Sequence, residues 1–151
     1  MIIYTNSEEE TIHTAEKFAA GLTPGDIVAL YGDLGTGKTE FTKGICNYFG
    51  VEEIVTSPTF TIVNKYNAKI NKKPLTIYHI DLYRLEKEAE LLEIGFNEYL
   101  NDDEAITIIE WSDRTNQIPT RSIKVKIMYK PDEDDFRIIE IIHPELEEIG
   151  V

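Results

Sequence analysis

A chain of 151 residues, 42 % hydrophobic, with 28 acidic against 15 basic side chains, has material for one core and too little length for two; a single domain over 1–151 is expected. The net charge of −13 disfavours a direct grip on nucleic acid, which depends on Lys and Arg neutralising phosphates. No apolar run approaches the roughly 20 residues of a membrane span, MIIYTNSEEE does not read as a secretory signal, and the one cysteine, Cys46, cannot form a disulfide within the chain, so a cytoplasmic location is expected.

In chain order, Ile2-Ile3-Tyr4 reads as a short strand. Ser7 with Glu10 three positions on fits a capping box at a helix start. Ile12, Ala15, Phe18 and Leu22 then recur at helical spacing, with Gly21 as a stop. Thr23-Pro24-Gly25-Asp26 is a turn, and Ile27 to Tyr31 a strand. A helix is predicted from Lys38 to about Phe49, with Phe41, Ile45 and Tyr48 facing inward and Cys46 as a small core residue. Thr59 to Tyr66 reads as a strand, Asn67 to Pro74 as a loop, and Leu75 to Ile80 as a buried strand. Glu86 to Leu100 favours helix but is broken at Gly95, which predicts two short helices. Ala105 to Ile109 is another buried strand. Ile123, Val125, Ile127 and Tyr129 alternate with Lys124, Lys126 and Met128; after the turn PDEDD, Phe136 to Ile142 completes a hairpin. Strands alternating with helices, two of them almost wholly apolar, predict an α/β fold. A largely parallel central sheet would be covered on both faces, with the hairpin adding antiparallel strands at one edge.

Between the strand ending at Tyr31 and the helix starting at Lys38 lies Gly32-Asp33-Leu34-Gly35-Thr36-Gly37-Lys38-Thr39, which satisfies G-x-x-x-x-G-K-[ST], the P-loop pattern. Glycines let the backbone curl so that its N–H groups form a nest for phosphate oxygens, and the helix aims its N-terminal dipole at the same place. Lys38 would reach the β- and γ-phosphates, and the Thr39 hydroxyl would ligate Mg²⁺. An acid at the end of a neighbouring strand is needed beside that metal, and two are available: Glu110 closes ITIIE and Asp81 closes LTIYHID. Guanine recognition by Asn-Lys-x-Asp is not supported, since NKYN places Asn67 where the acid belongs; adenine is favoured, by elimination only. His79 lies two residues before Asp81 and projects to the same side of the strand. Trp111 follows Glu110 and is a candidate neighbour of the nucleotide. His13 and His143 read as surface or packing residues.

Taken together, GDLGTGKT (32–39), SPTF (57–60), HIDLYR (79–84) and EW (110–111) resemble the TsaE family, formerly YjeE, over nearly the whole chain. Thr36 departs from the alanine usual in that loop, and Glu40 from a common threonine. The resemblance implies a P-loop NTPase-like fold and an ATPase, using ATP/ADP and Mg²⁺, needed for threonylcarbamoyladenosine formation at position 37 of tRNAs reading ANN codons. It implies action through a TsaB–TsaD protein complex, with no direct tRNA binding and no membrane. Residue by residue, it implies that Lys38 and the backbone of Asp33, Leu34, Gly35, Thr36, Gly37 and Thr39 hold the phosphates, and that Thr39 and Glu110 ligate Mg²⁺. Asp81 would orient or deprotonate the attacking water, or hold a metal-bound water. Thr59 is similar to a switch threonine sensing the γ-phosphate, and the adenine is expected around Ser7 and Thr11. Two other uses of the same loop stay open: a small-molecule kinase, and a nucleotide-sensing module with negligible catalysis.

Overall fold

The computed structural model describes residues 1–58 and 62–144. Its elements are β1 (Ile2–Thr5), α1 (Glu8–Ala19), β2 (Ile27–Tyr31), α2 (Lys38–Tyr48), β3 (Val63–Ile70), β4 (Lys73–Asp81), α3 (Ala89–Glu93), α4 (Phe96–Leu100), β5 (Ala105–Glu110), a 3₁₀ turn at Ser112–Arg114, β6 (Ile123–Lys130) and β7 (Glu133–Ile142). The strands form one sheet in the order β1-β7-β6-β2-β5-β4-β3. Its centre, β6-β2-β5-β4, is parallel. The pairs β1–β7, β6–β7 and β3–β4 are antiparallel, so antiparallel strands stand at both edges rather than at one.

Every residue of β5 is buried, as expected of a strand covered on both faces. On one face Val28 and Leu30 of β2 pack with Phe41 and Ile45 of α2 and Ala15 and Ala19 of α1. On the other, Ile27, Ile80 and Ile109 pack under Leu91 of α3 and Phe96 and Leu100 of α4. Cys46 is fully buried in the first cluster, and burial pushes its thiol up to about 12, which makes it inert packing. No helix among the described residues is long and apolar enough to cross a membrane.

Several local expectations need correction. Residues 67–74 are not a loop: β3 and β4 form a hairpin joined at Asn71-Lys72, both with positive φ, the geometry of a two-residue type I′ turn. The alternation of Tyr66, Ala68 and Ile70 continues the strand; Pro74 is tolerated because it sits one residue inside the start of β4. On α2, Tyr48 points to solvent and Phe49 fills the core instead. The turn before β7 is only Pro131-Asp132, so that strand starts at Glu133. Ser7 accepts from the Glu10 N–H at 3.1 Å, but Glu10 reaches back to the N–H of Asn6, one residue beyond the usual capping box. Ala20, in right-handed geometry, caps α1 ahead of Gly21.

Candidate functional site

The carboxyl ends of β2, β5 and β4 lie side by side, and the register pairs Asp81 with Glu110 across β4 and β5. The loop after β2 therefore opens toward both acids, at the crevice where open α/β sheets hold ligands. Sterics fix the loop's shape. A Cβ on Gly32 would collide with the Ile127 carbonyl and lie 2.6 Å from Thr36 Oγ1. Gly37 starts α2 at φ 110°, a conformation that a side chain resists.

Within the loop, the Lys38 ammonium donates to the carbonyls of Gly32 at 2.6 Å and Asp33 at 2.8 Å, and sits 4.0 Å from the Trp111 ring centroid. Burial lowers the Lys38 pKa, and the negative charges of Glu110 and Asp81 oppose that shift. Thr39, on the first turn of α2, donates to Glu110 Oε1 at 3.1 Å and lies 2.8 Å from Ser57 Oγ. Glu110 is 2 % exposed, and its Oε2 accepts from His79 Nε2. Asp81 Oδ1 accepts from the Tyr83 N–H at 2.9 Å, and burial raises its pKa above the ordinary carboxylate range, with Glu110 adding repulsion.

Lys38, Thr39, Ser57, Asp81, Glu110 and Trp111 line one open cavity of about 360 Å³ with Gly35, Gly37, Pro58 and Tyr83. The Leu34 side chain stands 69 % exposed on its rim. Trp111 takes a left-handed backbone at φ 57°, sparse for a bulky residue, and stacks obliquely on Tyr83 with centroids 4.9 Å apart. Thr39, Glu110 and Ser57 converge as oxygen donors only, which suits Mg²⁺. The described residues contain no cluster of three His, Cys, Asp or Glu side chains able to cage a metal.

Lys38, Thr39, Asp81, Glu110 and Trp111 thus come together around one cavity. Asp33 joins through its carbonyl. His79 is brought to Glu110, but it is fully buried behind the acid rather than on the cavity wall. Ser7 and Thr11 lie on the α1 side of the loop, along a smaller cleft of about 50 Å³ shared with Gly35, Thr36 and Gly37. Their hydroxyls are engaged within the chain, Ser7 with the Glu10 N–H and Thr11 with Thr5 at 2.8 Å. Thr59 lies outside the described residues. Sequence reasoning missed Arg137, which donates from β7 to the carbonyls of Thr36 at 2.8 Å and Gly35 at 3.2 Å and so braces the loop from behind. Ser57 was noted only as part of a motif, and Tyr66 only as a strand end.

The family model "Threonylcarbamoyl adenosine biosynthesis protein TsaE" matches residues 5–139, a span holding the loop, both acids and Arg137. The chain belongs to the TsaE family. It is 45 % identical over 139 residues to a tRNA threonylcarbamoyladenosine biosynthesis protein TsaE of Rickettsia bellii, covering 90 % of each chain. It is 39 % identical over 131 residues to the Bacillus subtilis protein of that name, 86 % of this chain and 78 % of the relative. A crystal structure of Bacillus subtilis YdiB superposes with a TM-score of 0.78 at 32 % identity, covering 99 % of this chain and 93 % of the other.

Proposed function

We propose that the chain is a Mg²⁺-dependent ATPase of tRNA threonylcarbamoyladenosine formation, acting at position 37 of ANN-reading tRNAs through a TsaB–TsaD complex in the cytoplasm. Family membership supports the pathway. The observation that supports the chemistry is the meeting of Thr39 and Glu110, 71 positions apart in sequence, at 3.1 Å beside the loop lysine.

On this reading, Lys38 exchanges the carbonyls of Gly32 and Asp33 for the β- and γ-phosphate oxygens, and the loop amides take the remaining negative charge. Thr39 and Glu110 would hold Mg²⁺, which would supply charge neutralisation for the phosphates. Asp81, paired with Glu110 at the adjoining strand end, orients or deprotonates the attacking water. Gly35 and Gly37 line both the main cavity and the α1-side cleft, which supports placing the adenine beside Ser7 and Thr11. Thr59 is assigned to γ-phosphate sensing by family likeness. An acidic chain whose longest basic cluster is a lysine pair is suited to act on tRNA through a protein partner rather than by direct contact.

The reading predicts slow phosphate release from Mg·ATP by the chain alone and a rise of about tenfold or more with TsaB and TsaD present. Phosphate transfer to an added small-molecule hydroxyl would instead identify a kinase. Unchanged release with the partners would remove the coupling.

A further inference from the structure

The two oxygens of Glu110 do different work. Oε1 faces Thr39, while Oε2 is taken by His79 Nε2. A carboxylate only accepts, so Nε2 carries a proton; with one proton on the ring, Nδ1 is an acceptor. Nδ1 lies 3.3 Å from the Tyr66 hydroxyl, which is also 3.3 Å from the Thr56 carbonyl. The side-chain amide of Asn64 donates to that carbonyl at 3.2 Å and to the Tyr66 oxygen at 3.3 Å. The next residue, Ser57, returns to Thr39 at 2.8 Å. The contacts close a ring: Thr39, Glu110, His79, Tyr66, Asn64, Thr56, Ser57 and back to Thr39.

Tyr66 has one O–H and two acceptors, so it serves one at a time. When it turns to His79, Asn64 keeps the Thr56 carbonyl satisfied. Every polar group in the ring then has a partner, which a buried network requires. The nucleotide reading uses the Glu110 and Thr39 end of this ring and leaves its far side, 31 and 44 positions upstream of Glu110, without a role.

We propose that His79 and Tyr66 are positioning residues: they fix which Glu110 oxygen faces Thr39 and tie that carboxylate to the Thr56–Ser57 segment, so that the metal corner and the segment hold or release together. The ring's contribution to metal binding rests on the nucleotide reading, whereas its mechanical coupling can be tested without nucleotide.

Tyr66→Phe removes one hydroxyl and keeps the ring's volume. It should leave metal-free ADP affinity within about twofold, since that depends on the loop and Lys38, and raise the Mg²⁺ concentration needed for ATP binding about tenfold. His79→Gln, which can still donate to Glu110, should recover most of the Mg²⁺ dependence that His79→Leu loses. Without nucleotide, amide exchange at Val55, Thr56 and Ser57 should quicken severalfold in Tyr66→Phe and in Glu110→Gln. An unchanged Mg²⁺ requirement in Tyr66→Phe, or equal loss of ADP and Mg·ATP binding, overturns the positioning role. Unchanged exchange in both variants overturns the coupling even if the wild type binds no nucleotide at all.

Discussion

Burial holds the Asp81 carboxyl above its ordinary range in the folded protein. Between its unfolded value near 3.8 and the raised folded value, the native state binds more protons than the unfolded chain. Stability contributed by this group therefore falls as pH rises through that window and stays reduced above it. Asp81→Asn, which keeps an acceptor for the Tyr83 N–H, should raise Tm at neutral pH, with the gain over wild type shrinking as the solution is acidified toward about pH 4. The same variant should lose phosphate release by about 10²-fold or more. Thermal melts across pH with a parallel rate assay check both; a neutral-pH Tm equal to or below wild type would contradict the burial cost. Asp81 and Glu110 were legible in the sequence because each closes an apolar strand. Arg137 and Tyr66 were not: no local pattern marks them, and they reach the site only through the register of β7 against β6 and of β3 against β4.

Among the elements, α1 and α2 cross closely at Gly44. A Cβ there would collide with the Ile12 carbonyl and the Ala15 Cβ, neither of which can rotate away. Alanine gains up to about 1 kcal/mol of helix propensity over glycine, but overpacking costs about 1–3 kcal/mol, so the clash should win. Gly44→Ala is expected to lower stability by about 1–2 kcal/mol, about 2–4 °C in Tm for each kcal/mol in a chain of this size. A calorimetric scan checks it, and a Tm gain would show that the helices separate at little cost. Periodicity found the parallel strands and the two short helices, because each carries its own apolar pattern. It failed at residues 67–74 because Asn, Lys and Pro read as loop, while Lys72 takes the second, left-handed position of the turn, which glycine usually fills. It also put Tyr48 inside: α2 ends at that residue, and Phe49, in the cap, turns in instead.

At the scale of the molecule, the parallel order β2-β5-β4 sets three strand ends in a row, and the proposed chemistry draws on what each carries: the glycine-rich loop, Glu110 and Asp81. In a chain of net charge −13, the buried Lys38 is the cation held at the centre of that row. In the proposed function this lysine exchanges loop carbonyls for phosphate oxygens. Trp111, the one tryptophan, lies 4.0 Å from the Lys38 ammonium and reports on the exchange by its fluorescence. The decisive measurement is a Mg·ATP titration of wild type and Lys38→Ala, followed at Trp111 and by calorimetry. Two charge-assisted hydrogen bonds of about 1.5–3 kcal/mol each predict a saturable wild-type response and an affinity loss of at least about 10²-fold in the variant. Wild-type affinity in Lys38→Ala, or no saturable heat with the wild type, would contradict the account.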